Sequence, residues 1–239
     1  MKQRKRLDGF IFRPARLDDV GYIVELELSV WGKEAGAAKE EIISRIETFS
    51  KGNFVATLGG RIVAYGSLEY VDDVGQGANF SWAEITDDGF IAKSHKPKGE
   101  YIYGVNLSVH HSMNGRDLGS KMVLYCFIQA IISNKRGVFT GSRIPGFSNY
   151  LKHYPKTRAE DYITVYRNGK TRDYELRLYE EIGFRVIKVL PDYFPDPPSL
   201  DYGVLIYWTN NFFKNPFRRI IGLFFWRLGR IKLIKKKVK

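Results

Sequence analysis

The sequence predicts an α/β (α+β) fold, a sheet with helices packed on its faces, and three observations predict it. Runs of strand period alternate with runs of helical period, in the order strand, two helices, three strands, helix, strand, helix, two strands. A Gly59-Gly60 pair between two apolar runs marks a hairpin. And 239 residues, 44% hydrophobic and 27% charged, can bury a sizeable core, which excludes wholesale disorder and a collagen-like fibre.

Phe10 to Arg13 reads as a first strand closed by Pro14. Asp18 offers an N-cap to a helix whose apolar face is Val20, Ile23, Val24, Leu26 and Val30, running to Trp31. A second helix from Glu40 to Phe49 turns Ile42, Ile43 and Ile46 inward. Phe54–Leu58 and Arg61–Tyr70 form the hairpin strands. Residues 72–100 are polar and glycine-rich and read as a long loop, the kind of segment that carries function in a compact domain. Tyr101–Val109 is the next strand, and a helical pattern follows through Met122, Val123, Cys126, Phe127, Ala130 and Ile131 to Asn134. Val138–Thr140 is a short strand, and residues 141–172 form a second irregular insertion. A helix over Asp173–Ile182 stops at Gly183, and strands Phe184–Leu190 and Val204–Trp208 flank a proline-rich turn. One domain, residues 8–210, results, followed by a basic tail, residues 212–239.

The net charge of +12 sits in that tail: residues 212–239 hold ten basic side chains and no acid, leaving +2 on the rest. The body offers no extended phosphate track, so nucleic acid is not favoured as a partner. The single cysteine, Cys126, excludes an internal disulfide framework and multi-cysteine metal sites. His110 and His111, as neighbours at a strand end, are expected to point to opposite sides and make a poor metal pair; no metal is expected. The N-terminal basic residues are followed by Asp8 with no apolar run, so a cytoplasmic protein is expected.

The most informative segment is Leu107–Val123, a strand feeding a glycine-containing turn that opens a helix. Such a junction aims unpaired N–H groups and the helix dipole at an anion. Leu107-Ser108-Val109 followed by Asn114-Gly115-Arg116-Asp117-Leu118-Gly119-Ser120 resembles the acyl-CoA signature of the GNAT N-acetyltransferases, Gln/Arg-x-x-Gly-x-Gly/Ala. Tyr179-Glu180-Glu181-Ile182-Gly183-Phe184 resembles their second signature. Tyr103-Gly104, Ser142–Phe147, Asp173 and Val189–Tyr193 are similar to GNAT domains fused ahead of carbon–nitrogen hydrolases. Asn114 and Asp117 depart from the pattern; Asp117 replaces a glycine, and its carboxylate repels phosphate unless it turns outward.

The resemblance implies a mixed, mostly antiparallel sheet and an acetyl-CoA donor held by Leu107–Val109 and residues 114–120. It implies a strand that splays from its neighbour to admit the donor, and Tyr179 as general acid to the leaving thiolate. For the base, Glu84, Asp87, Asp88, His95 and Glu100 are candidates, with an ordered water as the alternative; Glu84, between Trp82 and Ile85, is the first choice, because partial burial there would raise its pKa. Cys126 falls in the apolar register of a helix and reads as inert. The acceptor, a small-molecule or peptide amine, would sit among the loops 72–100 and 142–172, where Tyr70, Trp82, Tyr150 and Tyr154 are candidates to line it.

In the tail, Phe217, Ile220, Ile221, Phe224, Leu228 and Ile231 share one helical face, with Arg218, Arg219 and Arg230 off it; Leu223 and Trp226 blur the division. Four arginines exclude a transmembrane span. Two partners compete for that face: an anionic membrane surface, which would make the protein peripheral, and the body or a second subunit, which would make a homodimer. The alternatives to an acetyltransferase are an N-acyltransferase using a longer acyl-CoA or acyl carrier protein at a membrane, and an inactive GNAT-like binding module.

Overall fold

The computed structural model describes residues 5–7 and 9–228. Among these residues eight strands form one sheet and a further pair forms a small hairpin. In chain order the elements are β1 (Lys5–Leu7), β2 (Phe10–Pro14), α1 (Val20–Ala35), α2 (Lys39–Thr48), β3 (Asn53–Leu58), β4 (Arg61–Val71), α3 (Trp82–Thr86) and β5 (Tyr101–Val109). Then follow α4 (Leu118–Ile132), β6 (Gly137–Arg143), α5 (Phe147–Leu151), α6 (Ala159–Tyr162), β7 (Tyr166–Arg167), β8 (Lys170–Thr171), α7 (Tyr174–Ile182), β9 (Arg185–Leu190), β10 (Gly203–Thr209) and α8 (Arg218–Leu228).

The sheet order is β1-β2-β3-β4-β5-β6-β10-β9, antiparallel everywhere except at β5 and β6. α1 and α2 cover one face through Ile23, Leu26, Ile42 and Ile46 against Val55 and Tyr65. α4, buried along most of its length, fills the other face with α7 and α8. Gly59 and Gly60 both adopt positive φ at the β3–β4 turn, as that hairpin requires.

Four features differ from expectation. Asp18 does not cap α1: a 3-10 turn over Leu17–Asp19 precedes the helix, and Asp19 is drawn to the Arg13 guanidinium at 2.5 and 2.7 Å. β6 runs three residues further than expected, to Arg143, because β10 pairs with it along its whole length. A strand not foreseen, β1, adds an edge beside β2. The second insertion holds two short helices and the β7–β8 hairpin. The expected tail helix is present over Arg218–Leu228; residues 229–239, including Arg230, Ile231 and the lysines, lie outside the described residues.

α8 is not a free appendage. Phe225 and Trp226 are buried, Trp226 standing edge-on to Phe12 at 4.9 Å and to Tyr125 at 5.7 Å. Gly222 lets the helix lie close to α4: a Cβ there would come within 2.7 Å of Ile132 Cγ2.

Candidate functional site

The site begins with one broken ladder. β5 and β6 pair only at Ile102–Val138, Tyr103–Phe139 and Gly104–Thr140, although β5 continues to Val109 and β6 to Arg143. Beyond Gly104 and Thr140 the two strands diverge, leaving a wedge in the middle of the sheet. Gly104 sits at its apex, where a Cβ would press on Thr140 at 3.0 Å.

A bulge on β5 shapes the wall of this wedge. Ser67 pairs with Asn106 but Leu68 with Gly104, so Val105 is the extra residue and the face of every later side chain is flipped. Ile102 therefore packs on the α4 side, Tyr103 and Val105 on the other, and Leu107 and Val109 return to the α4 side. His110 N donates to Val63 O at 2.9 Å. By alternation, Ser108 and Asn106 turn their N–H groups to β4, while Leu107 and Val109 turn theirs toward the wedge. The carbonyl of Val105 accepts from Trp82 Nε1 at 2.9 Å, which ties the first insertion to the wedge.

The flip also sends Asn106 and Ser108 to the α1 side, where Glu27 is buried. Glu27 Oε1 accepts from Ser108 Oγ at 2.5 Å and Asn106 Nδ2 at 2.8 Å, and its other oxygen accepts from Ala37 N at 3.3 Å. Trp31 Nε1 donates to Ser108 Oγ at 2.7 Å. This network fixes the end of α1 over the wedge.

One cavity runs through the opening from face to face. Leu68, Val123, Cys126, Val138, Tyr179 and Phe184 line it on the α4 side; Trp31, Trp82, Tyr193 and Phe194 line it on the other. Four polar residues look into it: Asn106, Thr140, Arg143 and Glu175. Cys126 is buried with its thiol pushed up to about 12 by burial, as an inert core thiol should be.

Tyr179 stands on α7 with its ring edge-on to Phe184 at 5.4 Å. Burial holds its phenol well above the ordinary tyrosine range, with the nearby Glu175 carboxylate adding to the shift. Glu175 lies one turn earlier on the same face, and burial raises its carboxyl against the pull of Arg143. Arg143 donates to Glu175 at 3.0 Å and to Asp196 at 3.2 Å, its guanidinium 5.0 Å from the Trp31 ring centroid. α7 is held by Asp173, which caps it through the N–H groups of Glu175 and Leu176 and also accepts from Gly146 N and Tyr162 Oη.

Glu84 is not the buried carboxylate expected. Its side chain turns back to cap α3, accepting from Ser81 N at 2.7 Å and Ser81 Oγ at 2.9 Å, and lies in solvent. The Ser81 backbone and hydroxyl hydrogen bonds hold it below the ordinary carboxylate range, opposite to the raised value expected. Of Tyr70, Trp82, Tyr150 and Tyr154, only Trp82 lines the cavity: Tyr70 packs on Phe49 and His95, and the other two stack on each other. His110 and His111 do not diverge. The chain enters a 3-10 turn at His111, and their ring centroids lie 4.1 Å apart. Among the described residues no three His, Cys, Asp or Glu side chains are grouped to hold a metal. Arg143, Glu175, Trp31 and Asn106 were missed as site residues; for Glu175, the helical i, i+4 spacing to Tyr179 was the available signal.

Above the wedge lies the turn into α4. Gly115 and Asp117 adopt left-handed φ of +76° and 55°, a conformation that glycine enters without strain and aspartate with little. Its carboxylate turns outward, 65% exposed, to Lys121 Nζ at 3.6 Å. The first helical bond runs from Lys121 N to Asp117 O at 3.2 Å, which puts the N–H groups of Leu118, Gly119 and Ser120 ahead of the ladder. A Cβ at Gly119 would meet nothing within 4 Å, so the space over the helix start is open to a bulky anion. Asn114 is exposed, and Arg116 extends over the Phe10 ring at 5.7 Å. These features fit a phosphate-bearing group.

No family model matches the chain. The uncharacterized N-acetyltransferase YkwB of Bacillus subtilis is 29% identical over 177 residues, 74% of this chain and 76% of that protein. The probable hydrolase YhcX of the same bacterium is 27% identical over 201 residues, 84% of this chain but 38% of its own length. Among solved structures, the GphF GNAT-like decarboxylase in complex with isobutyryl-CoA has a TM-score of 0.73 at 23% identity, covering 84% of this chain and 99% of its own. The loading GNATL domain of CurA from Lyngbya majuscula matches equally well, with a TM-score of 0.73 at 22% identity over 84% and 98%. The ribosomal-protein-S18-alanine N-acetyltransferase of Escherichia coli follows at 0.52 and 10%, covering 84% and 93%. A sheet split at its one parallel pair, an anion-binding turn above the split, and these likenesses agree: the chain is a GNAT-fold protein, similar in sequence to a bacterial N-acetyltransferase.

Proposed function

We propose that this chain transfers an acyl group, acetyl in the simplest case, from a coenzyme A thioester to an amine by direct attack. The observation that carries the reading is the wedge between β5 and β6, open on both faces, with a helix N-terminus at one end and the Tyr179 phenol in its wall. Residues 114–120 would hold the pyrophosphate through the N–H groups of Leu118, Gly119 and Ser120, and the edge of β5 at Leu107 and Val109 would align the pantetheine arm. The bound donor supplies an activated thioester carbonyl.

The chain's own groups then have defined tasks. Outward N–H groups of β5 offer a fixed dipole to a developing oxyanion. Tyr179, kept protonated by burial, gives its proton to the departing sulfur. Glu175 is the better placed base: it lines the cavity, whereas Glu84 is committed to the Ser81 cap. The acceptor amine would enter from the side of Trp31, Trp82 and Phe194, whose flat apolar walls exclude water.

The test is calorimetric titration with acetyl-CoA, followed by thiol release with a panel of small and peptide amines, for the native chain and Tyr179→Phe. Binding plus turnover that falls in the variant supports the reading. Binding with no turnover on any amine would favour a module that has lost catalysis, and absent CoA binding would favour acyl carrier protein as the donor.

A second reading has one specific observation behind it. The GphF decarboxylase and the CurA loading domain match with TM-scores of 0.73, against 0.52 for the S18-alanine enzyme. On this reading a carboxyacyl thioester loses CO2 and Tyr179 reprotonates the carbon. Malonyl-CoA incubated with the protein and no amine separates the two: acetyl-CoA formed there points to decarboxylation.

A further inference from the structure

We propose that the outward face of α8 docks on an anionic lipid surface. The helix has two apolar faces and the core uses only one. Gly222, Phe225 and Trp226 face α4 and are buried. On the opposite side Phe217 is 65% exposed, Ile220 67%, Leu223 52%, Phe224 57% and Leu228 39%. Large exposed apolar side chains elsewhere among the described residues are scattered along the chain, whereas these five crowd into twelve residues at helical spacing. With the core-facing side already filled, packing gives no reason for them.

Charge identifies the occupant. Arg219 and Arg227 are exposed on the same helix, and the eleven residues after Leu228 contain six lysines and arginines and no acid. Residues 1–211 carry only +2, so the positive charge is concentrated in the segment of sequence that carries the apolar face. A second copy of this chain would bring this acid-free segment against itself, setting like charges together. A nucleic acid would leave five large apolar side chains without use. An anionic bilayer takes both features: the apolar side chains enter the headgroup boundary and the cations meet lipid phosphates. The docking is in-plane, since no helix among the described residues is long and apolar enough to cross a membrane.

The experiment is co-sedimentation of the full chain with vesicles of phosphatidylcholine alone and of phosphatidylcholine with one third phosphatidylglycerol, at low and high salt. The native chain should bind the anionic vesicles, weakly or not at all the neutral ones, and less at high salt. Ile220→Asp and Phe224→Asp, both at exposed positions, should lower the partition coefficient by about tenfold each. Unchanged melting temperatures and intrinsic tryptophan fluorescence establish that both variants fold. Absence of vesicle binding, binding indifferent to phosphatidylglycerol, or binding unaffected by both variants overturns the proposal. A dimer in light scattering that both variants dissociate, without vesicle binding, overturns it in favour of a second copy.

Discussion

Replacing Asp117 tests the anion site by a gain rather than a loss. Its carboxylate stands at the start of α4, where the GNAT signature has glycine, beside the N–H groups proposed to hold the pyrophosphate. The side chain is 65% exposed, so its field acts through water-like surroundings. A carboxylate about 8 Å from one phosphate charge costs about 0.5 kcal/mol in water, and two such charges about 1 kcal/mol. Lys121 Nζ at 3.6 Å offsets about half of that. Asp117→Asn removes the charge while keeping a residue that enters left-handed backbone readily, so the dissociation constant for CoA should fall by about twofold. Asp117→Gly should gain at least as much, because it also removes a Cβ from the path of an approaching pyrophosphate. The assay is calorimetry with CoA and with acetyl-pantetheine, which lacks the pyrophosphate, at two salt concentrations. The gain should appear only for CoA and shrink as salt rises. Unchanged CoA affinity in both variants, or an equal gain for acetyl-pantetheine, would refute the placement of phosphates at this turn.

Other consequences are equally measurable. Tyr179→Phe should lower kcat by about a hundredfold or more while leaving CoA affinity within about twofold, since the phenol acts on the leaving group; native kcat should show no loss attributable to Tyr179 ionisation through ordinary alkaline pH, burial having raised it. Because burial raises Glu175, kcat/KM should climb with pH through an inflection above the ordinary carboxylate range, and Glu175→Gln should flatten that limb. Glu69 is buried with a carboxyl raised by burial to about 8. The folded state therefore favours its protonated form, so its stability contribution is complete below about pH 4.5 and is lost as pH rises through about 8. Glu69→Gln should match the native melting temperature near pH 5 and exceed it near pH 9, by about 4 kcal/mol in stability. Trp226→Ala should destabilise the whole domain by about 3 kcal/mol in denaturant titration, since it empties a site packed by Phe12 and Tyr125.

The sequence carried the fold well where periodicity and turn chemistry are local. The Gly59-Gly60 hairpin, the β5–turn–α4 junction and the Gly183 stop all declare themselves in short windows. Legibility failed where a long-range partner decides. β6 extends to Arg143 because β10 lies beside it, a fact that no window contains. The site divides the same way. The phosphate turn and Tyr179 lie in contiguous motifs, but Trp31, Arg143 and Glu175 converge from α1, β6 and α7 only once the sheet is built. Glu84 misled because flanking apolar residues suggested burial, whereas Ser81 three positions earlier formed a capping box, a pattern the sequence does display. The tail shows the limit of a helical wheel. Phe217, Ile220, Phe224 and Leu228 share an exposed face as expected, yet Ile221, expected with them, packs on the core beside Phe225 and Trp226.

The most direct measurement of the central claim is a crystal structure of the full chain with coenzyme A. The account predicts the pyrophosphate within hydrogen-bonding distance of the Gly119 and Ser120 N–H groups, the pantetheine arm threading between β5 and β6, and its sulfur beside Tyr179. Coenzyme A bound elsewhere, or an empty split between those strands at saturating ligand, would contradict it.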